Sequence, residues 1–355
     1  MKQKPCSKAK ISIHDVAREA GVSVSTVSRV IRKYSNVTPE TESVVNEAIK
    51  KLKYTPNAAA SRLGSGSFDN IGVVFTRSAD MAFHNPFFSE ALMGIGHVLE
   101  AYDYSMQLMM YDDAEREKEK VMVALASGMI KGVISLSTRY YDMLVQELSN
   151  SQYPFVILGR VEGNSFKDNI YSVNTNNRED SFKIVDHLAK LGHKRIGILN
   201  ESKEYLVNMD RYDGYRRALL SNGLIFDPSL EINAGYSLDD SKKSIIERIK
   251  RKNDITAIFA KDDLKAIAAI QGIKELGLKV PEDIAVVGYN DYEIAKISSP
   301  RLTTIKVPVY ELGVESAKML IRLINDEEID NNECILETKL VIRESCGFKK
   351  NNEQK

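Results

Sequence analysis

In the stretch VSVSTVSRVIR, Val22 to Arg32, helical spacing sets Val24, Ser25, Ser28, Arg29 and Arg32 on one face. That face suits reading base edges. Small side chains let a helix sit deep in a major groove, and a guanidinium such as that of Arg29 can bond a guanine edge in two places, worth about 1–3 kcal/mol of discrimination. Ser12, Ser23 and Asn36 can bond phosphates, which set register without carrying sequence information. Thr26, Tyr54 and Asn57 complete the candidate nucleic-acid contacts around this face. A second set of polar residues lies far downstream. Arg160 follows FVILG, Asp262 follows AIFAK, Asn290 and Asp291 follow VVGY, and Arg211 opens a helical stretch beyond RIGILN. Arg, Asp and Asn donate or accept in pairs, which suits sugar hydroxyls. Phe87, Phe88 and Tyr236 are aromatic candidates to cover apolar sugar faces.

Enzyme signatures are absent. There is no G-x-G-x-x-G after a strand, no phosphate-binding G-x-x-x-x-G-K-[ST], no H-E-x-x-H and no G-x-S-x-G elbow. The downstream carboxylates could do acid–base chemistry on a sugar, as in a glycosidase, but binding alone explains them more simply. No catalytic residue, metal or cofactor is expected. His84, His97, His187 and His193 lack metal-motif spacing. So do Cys6, Cys334 and Cys346, which are expected to stay reduced.

The elements that must position these residues are legible from caps and periodicity. Ser12 can cap a helix with Asp15 as the reciprocal acid, burying Ile13, Val16, Ala17 and Ala20, and Gly21 ends it. Ser23 or Ser25 starts a second helix carrying Val27, Val30 and Ile31. Ala17, Gly21 and Val27 match the spacing of a helix-turn-helix. Thr38-Pro39-Glu40 starts a third helix whose inner face is Val44, Val45, Ala48, Ile49 and Leu52. Next comes PNAAASRLGSGSF, in which Asn57 can cap a short Ala-rich helix ended by Gly64 and Gly66. A helix of about seven residues is not stable alone in water, so this segment is expected to order only when paired on DNA.

From Asp69 short apolar runs alternate with helical stretches. Strands are expected at 71–75, 106–111, 132–136, 155–158, 195–199, 257–260 and 284–288. Helices are expected at 88–101, 115–127, 180–191, 211–222, 240–252 and 264–276. This βαβα rhythm predicts parallel sheets with helices on both faces. Two such series imply two lobes, with a ligand cleft beyond the carboxyl ends of the strands.

Charge is divided along the 355 residues. Residues 1–62 hold 12 Lys and Arg against 5 Asp and Glu, a net +7, and the remainder holds 37 against 44, a net −7. A basic head on an acidic body points to an anionic partner at the head. The charged start has no apolar segment behind it, and no run is apolar enough to span a bilayer. The chain is expected in the cytoplasm, on the bacterial nucleoid when bound to DNA. This also argues against a secreted sugar receptor, as does the helix-turn-helix.

IHDVAREAGVSVSTVSRVI and KYTPNAAASRL resemble the DNA-binding head and hinge of the lactose-repressor (LacI/GalR) family. The resemblance continues through LGHKRIGIL, DRYDGYRRAL, AIFAKDDLKAIAAI, DIAVVGYND and SPRLTTIKVP, nearly the whole chain. NPFF and LGR further resemble the family's maltose-type regulators. The resemblance implies an all-α helix-turn-helix head (1–56), a hinge helix and linker (57–68), a two-lobed periplasmic-binding-protein-like α/β body (69–347) and a disordered tail (348–355). One lobe would be 69–172 plus 302–330 and the other 173–301 plus 331–347. It also implies that Leu63 wedges into the minor groove at the operator centre, and that Arg211, Tyr236, Asp262 and Asn290 line the effector pocket. Many members have Asp first in the pair after Gly-Tyr, whereas this chain has Asn290 then Asp291, leaving open which meets ligand. The expected protein is a homodimeric repressor on a palindromic double-stranded DNA operator, allosterically controlled by a small sugar such as maltose or a related disaccharide. A purine or a phosphoprotein co-regulator is the alternative.

Overall fold

Ser12 stands in extended backbone (φ −108°, ψ 167°) and turns the chain into α1 (Ile13–Ala20). The Asp15 carboxylate accepts from the Ser12 N–H at 2.9 Å and its hydroxyl at 2.7 Å, satisfying donors that a helix start leaves open. Gly21 closes the helix in the left-handed region at φ 65°. In α2 (Val24–Ile31) the cap is Ser23 rather than Ser25, because the Thr26 N–H donates to Ser23 Oγ at 3.1 Å. In α3 (Pro39–Leu52) the Thr41 N–H reaches Thr38 Oγ1 at 3.4 Å. The computed structural model describes residues 11–31, 37–52, 54, 69–76, 79–162, 170–235 and 237–347. The expectations for Arg32, Asn36, Asn57, Leu63, Tyr236, the hinge 57–68 and the tail 348–355 lie outside them.

The chain divides into two units between Phe68 and Asp69. In the first, Val16, Ala17, Val27, Val30, Val45 and Ala48 form the buried core. Helices of one or two turns are marginal alone, and this shared core stabilises them. Two expectations need correcting. Val44, placed inward by its spacing, is 47% exposed, because the inner face of α3 is carried by Val45 and Ala48 with Ile49 and Leu52 beside them. Val24, placed outward, leans on the core, as does the ring of Tyr54.

The second unit holds two parallel sheets. The first has the order β11-β5-β4-β3-β1-β2, formed by β1 (Asn70–Phe75), β2 (Ser105–Met110), β3 (Gly132–Ser135), β4 (Phe155–Leu158), β5 (Tyr171–Thr175) and β11 (Glu333–Leu336). The second has the order β7-β6-β8-β9, formed by β6 (Ile196–Asn200), β7 (Glu231–Asn233), β8 (Ala257–Ala260) and β9 (Ala285–Val287). β10 (Thr304–Lys306) and β12 (Lys339–Val341) form a separate two-stranded antiparallel sheet. The helices described in this unit are α4 (Ala79–His84), α5 (Pro86–Ala101), α6 (Ala114–Ala126), α7 (Met143–Asn150), α8 (Asn177–Lys190), α9 (Leu206–Ser221), α10 (Leu238–Arg251), α11 (Asp263–Glu275), α12 (Glu293–Ile297) and α13 (Val309–Ile324).

The expected lobe limits also shift. β11 pairs in parallel with β5, so it belongs to the first sheet and not to the second lobe. Having covered the first sheet with α13, the chain adds its next strand to the neighbouring edge, as consecutive elements usually do. Residues 303–306 run beside the second lobe, with Thr303 bridging to Val287 and Lys306 to Asn290.

Candidate functional site

Six of the ten strands of the two sheets end by delivering a polar group to one cleft. β3 runs into Ser137 and Thr138, β4 into Arg160, β5 into Asn177, β6 into Glu201 and β8 into Lys261 and Asp262; beyond β9 lie Asn290 and Tyr292. Carboxyl ends of parallel strands are where open α/β sheets bind ligands. Asn85, Phe87 and Phe88 close one side, and Asn208, Asp210 and Arg211 of α9 close another. The cleft holds about 820 Å³ of non-protein space, its open mouth included.

Arg211 is the hub. Its Nε donates to Asn177 Oδ1 at 3.1 Å, Nη1 to the Lys261 carbonyl at 2.5 Å and Nη2 to Asn290 Oδ1 at 3.5 Å. Its guanidinium stacks 3.7 Å from the centre of the Tyr289 ring, a contact in which cation–π attraction adds to packing. Asn290 Nδ2 donates to Tyr292 Oη at 2.8 Å and to Asp262 Oδ2 at 3.3 Å. Asp262 also caps α11, accepting from the Leu264 N–H at 2.8 Å. Burial raises the Asp262 carboxyl pKa and pushes that of Lys261, only 1% exposed, well down. Lys261 Nζ donates to the Asn208 carbonyl at 2.5 Å.

Several contacts span the cleft. Arg160, beyond β4, donates through Nε and Nη2 to both oxygens of Asp210 on α9, at 2.6 and 2.7 Å. The Tyr292 hydroxyl donates to Asn85 Oδ1 at 2.7 Å, and the Tyr205 hydroxyl to the Thr76 carbonyl at 3.0 Å.

Of the residues expected here, Phe87, Phe88, Arg160, Arg211, Asp262 and Asn290 line the cleft. Asp291 does not. Asn290 and Asp291 both take positive φ (110° and 62°), and this turn sends Asp291 to within 2.6 Å of Arg343 Nη2. Sequence reasoning passed over Asn85, Asn208, Asp210, Lys261 and Tyr292. Lys261 had a signal, since it directly follows the apolar run AIFA; Asp210 stood beside Arg211 in DRYDGY.

Behind the lining, the Asp263 carboxyl is pushed up to about 8 by burial, against the opposing hydrogen bond from Thr304. Thr304 Oγ1 donates to it at 2.6 Å and the Tyr292 N–H at 2.8 Å. Because the folded value exceeds the ordinary 3.8, the folded chain holds a proton that the unfolded chain has released. The resulting stability is whole below about 3.8 and is lost as pH rises to about 8. Asp263→Asn can accept from Tyr292 and donate to Thr304, and it does not titrate. Relative to this variant, the native chain should lose thermal stability as pH rises through that window. Parallel melting curves test this, and identical slopes would remove Asp263 from the account.

In the head, Ser25 and Arg29 are exposed on α2, and Ser28 is half-buried. Ser23 Oγ lies 2.7 Å from Ser25 Oγ and 2.8 Å from Thr26 Oγ1.

A family model described as bacterial regulatory proteins, lacI family, matches residues 12–57, and one described as a periplasmic binding protein-like domain matches residues 185–346. The HTH-type transcriptional regulator MalR of Clostridium butyricum is 33% identical over 339 residues, 95% of this chain and 99% of that protein. A solved transcriptional regulator CelR–cellobiose complex aligns with a TM-score of 0.72 at 31% identity, covering 94% of this chain and 99% of that one. The Lac repressor dimer bound to operator and the anti-inducer ONPF aligns with a TM-score of 0.82 at 27% identity, covering 95% and 99%. With a helix-turn-helix head, a cleft-bearing two-lobed body and likeness along nearly its full length, the chain is a DNA-binding transcriptional regulator and belongs to the lacI family of bacterial regulatory proteins.

Proposed function

We propose that the chain represses carbohydrate-utilisation genes in the cytoplasm as a homodimer on a palindromic operator, and that a sugar in the cleft sets its operator affinity without being turned over. The carrying observation is the cleft lining: amides, hydroxyls, two guanidiniums and the Phe87 and Phe88 rings converge where strands of both lobes end. Such groups match a polyol with apolar ring faces. The likeness to MalR and to the CelR–cellobiose complex supports a disaccharide such as maltose or a relative. No helix among the described residues is long and apolar enough to cross a membrane.

In this reading residues 1–56 are the head and 57–68 the hinge, with Leu63 as the minor-groove wedge. The ligand acts only through its different affinity for two lobe arrangements. A thermal-shift screen of mono- and disaccharides and purines should find a stabilising sugar. Anisotropy with labelled operator should show that sugar changing operator affinity. If a purine alone does both, the sugar reading is wrong.

Within the head, Arg29 is the proposed base reader, supported by its exposure on α2 between the half-buried Ser28 and the buried Val30. Arg29→Ala should weaken specific binding by about 1–3 kcal/mol and relax one operator position. Binding assays across half-site variants test this; an unaltered profile removes the role.

A further inference from the structure

Resting on the sugar reading above, the charges of the cleft narrow its ligand further. The lining carries three cationic residues, Arg160, Arg211 and Lys261, against three acidic ones, Glu201, Asp210 and Asp262. These cations are already engaged. Asp210 takes the Nε and Nη2 fork of Arg160 at 2.6 and 2.7 Å, and Nη1 bonds the Val161 carbonyl and the Glu162 carboxylate. That leaves Arg160 one N–H unassigned by these bonds. Lys261 is buried against the Asn208 carbonyl, and its burial disfavours the charged form. Arg211 is held by Asn177, Lys261 and Asn290, and the buried carboxylates of Asp180 and Asp262 lie in its field. By contrast, Ser137, Thr138, Asn174, Asn208 and Asn290 offer neutral donors and acceptors on the lining.

We infer that the cleft takes an uncharged polyhydroxylated ligand and that Asp210, by occupying Arg160 from across the cleft, excludes phosphorylated forms of the same ligand. Arg211 spends three of its five N–H groups on Asn177, Lys261 and Asn290, and a phosphate entering here meets the Asp210 carboxylate, which already holds the Nε and Nη2 fork of Arg160. Like charges brought together in a desolvated site are strongly disfavoured. Asp210 is thus a specificity residue. Its carboxylate is bonded by Arg160 and, at 3.2 Å, by Arg178, which itself pairs with Asp213 at 2.8 Å.

The test is calorimetric titration of the full chain with glucose, maltose and cellobiose and with the 6-phosphate of each, at matched ionic strength. The sugar that binds should do so at least about tenfold more tightly than its phosphate. Asp210→Asn keeps the shape and frees the Arg160 fork, so the phosphate-to-neutral affinity ratio should rise by about tenfold or more. A native chain that binds the phosphate as well as or better than the neutral sugar overturns the inference while leaving the sugar reading intact. So does an unchanged ratio in a folded Asp210→Asn chain. Should no sugar bind, charged or neutral, the sugar reading falls and this inference falls with it.

Discussion

Arg211→Ala is expected to abolish the effector response while operator binding survives. The guanidinium satisfies three acceptors at once, Asn177 Oδ1, the Lys261 carbonyl and Asn290 Oδ1, and it covers the face of Tyr289. It is only 8% exposed, so truncation leaves the Lys261 carbonyl and Asn290 Oδ1 without this donor, while Asn177 Oδ1 keeps the Tyr289 hydroxyl at 3.3 Å. Each such orphan costs about 1–3 kcal/mol. Effector affinity should fall by about 2–5 kcal/mol, the range seen when one partner of a buried charged hydrogen bond is removed. The variant body should also melt lower. Arg211→Lys should rescue little, because an ammonium lacks the planar fork. The residues proposed to read bases lie before Phe68, in the other unit, and operator affinity without effector should stay close to native. Anisotropy titrations with and without the effector measure this directly. A variant that still responds at native effector concentrations would remove Arg211 from the site.

Gly313→Val is expected to cost more stability than any other single change considered. A Cβ at Gly313 on α13 would lie 2.2 Å from the Ala91 carbonyl oxygen of α5. The contact is mutual, since a Cβ at Gly94 on α5 would lie 2.1 Å from the Tyr310 carbonyl oxygen and 3.0 Å from the Val314 nitrogen. The obstructing atoms are backbone in the middle of two helices, which no rotamer change can move aside. The helices must separate, opening the packing of Ala91, Ile95, Leu312 and Ala317 over the first sheet. Overpacking of this kind costs about 3 kcal/mol or more, a fall of about 6–12 °C in Tm. Calorimetry of native and variant chains tests it, and a Tm within a degree of native would show that the crossing can give way.

The two variants illustrate which features a chain displays locally. The head was legible because its determinants are short-range. Ser12 and Asp15 are three residues apart, Gly21 ends its own helix, and Val16, Ala17, Val27 and Val30 follow helical spacing. The strand ends were legible for the same reason, since an apolar run followed by a polar residue marks where a buried strand emerges. Arg160, Asp262 and Asn290 were found that way and line the cleft. The edge strands β7 and β11 were not found, nor were α13 and the interior strand β5, whose run YSVNT mixes polar with apolar residues. A strand with only one buried flank carries too little apolar signal to stand out.

What the sequence by itself determined is most of the elements and several of the cleft residues that close a strand, because propensity, capping and periodicity act over a few residues. Tertiary structure alone decided the rest. Asn290 faces the cleft and Asp291 turns to Arg343, which lies far along the chain; neighbouring residues in one turn differ only by what packs on each side. Asp210 acquires its role from Arg160, and Tyr292 from Asn85, each across the cleft. Gly94 and Gly313 matter because two helices distant in sequence cross there. Such pairings depend on how separate segments meet in space, and no local window of sequence contains both partners.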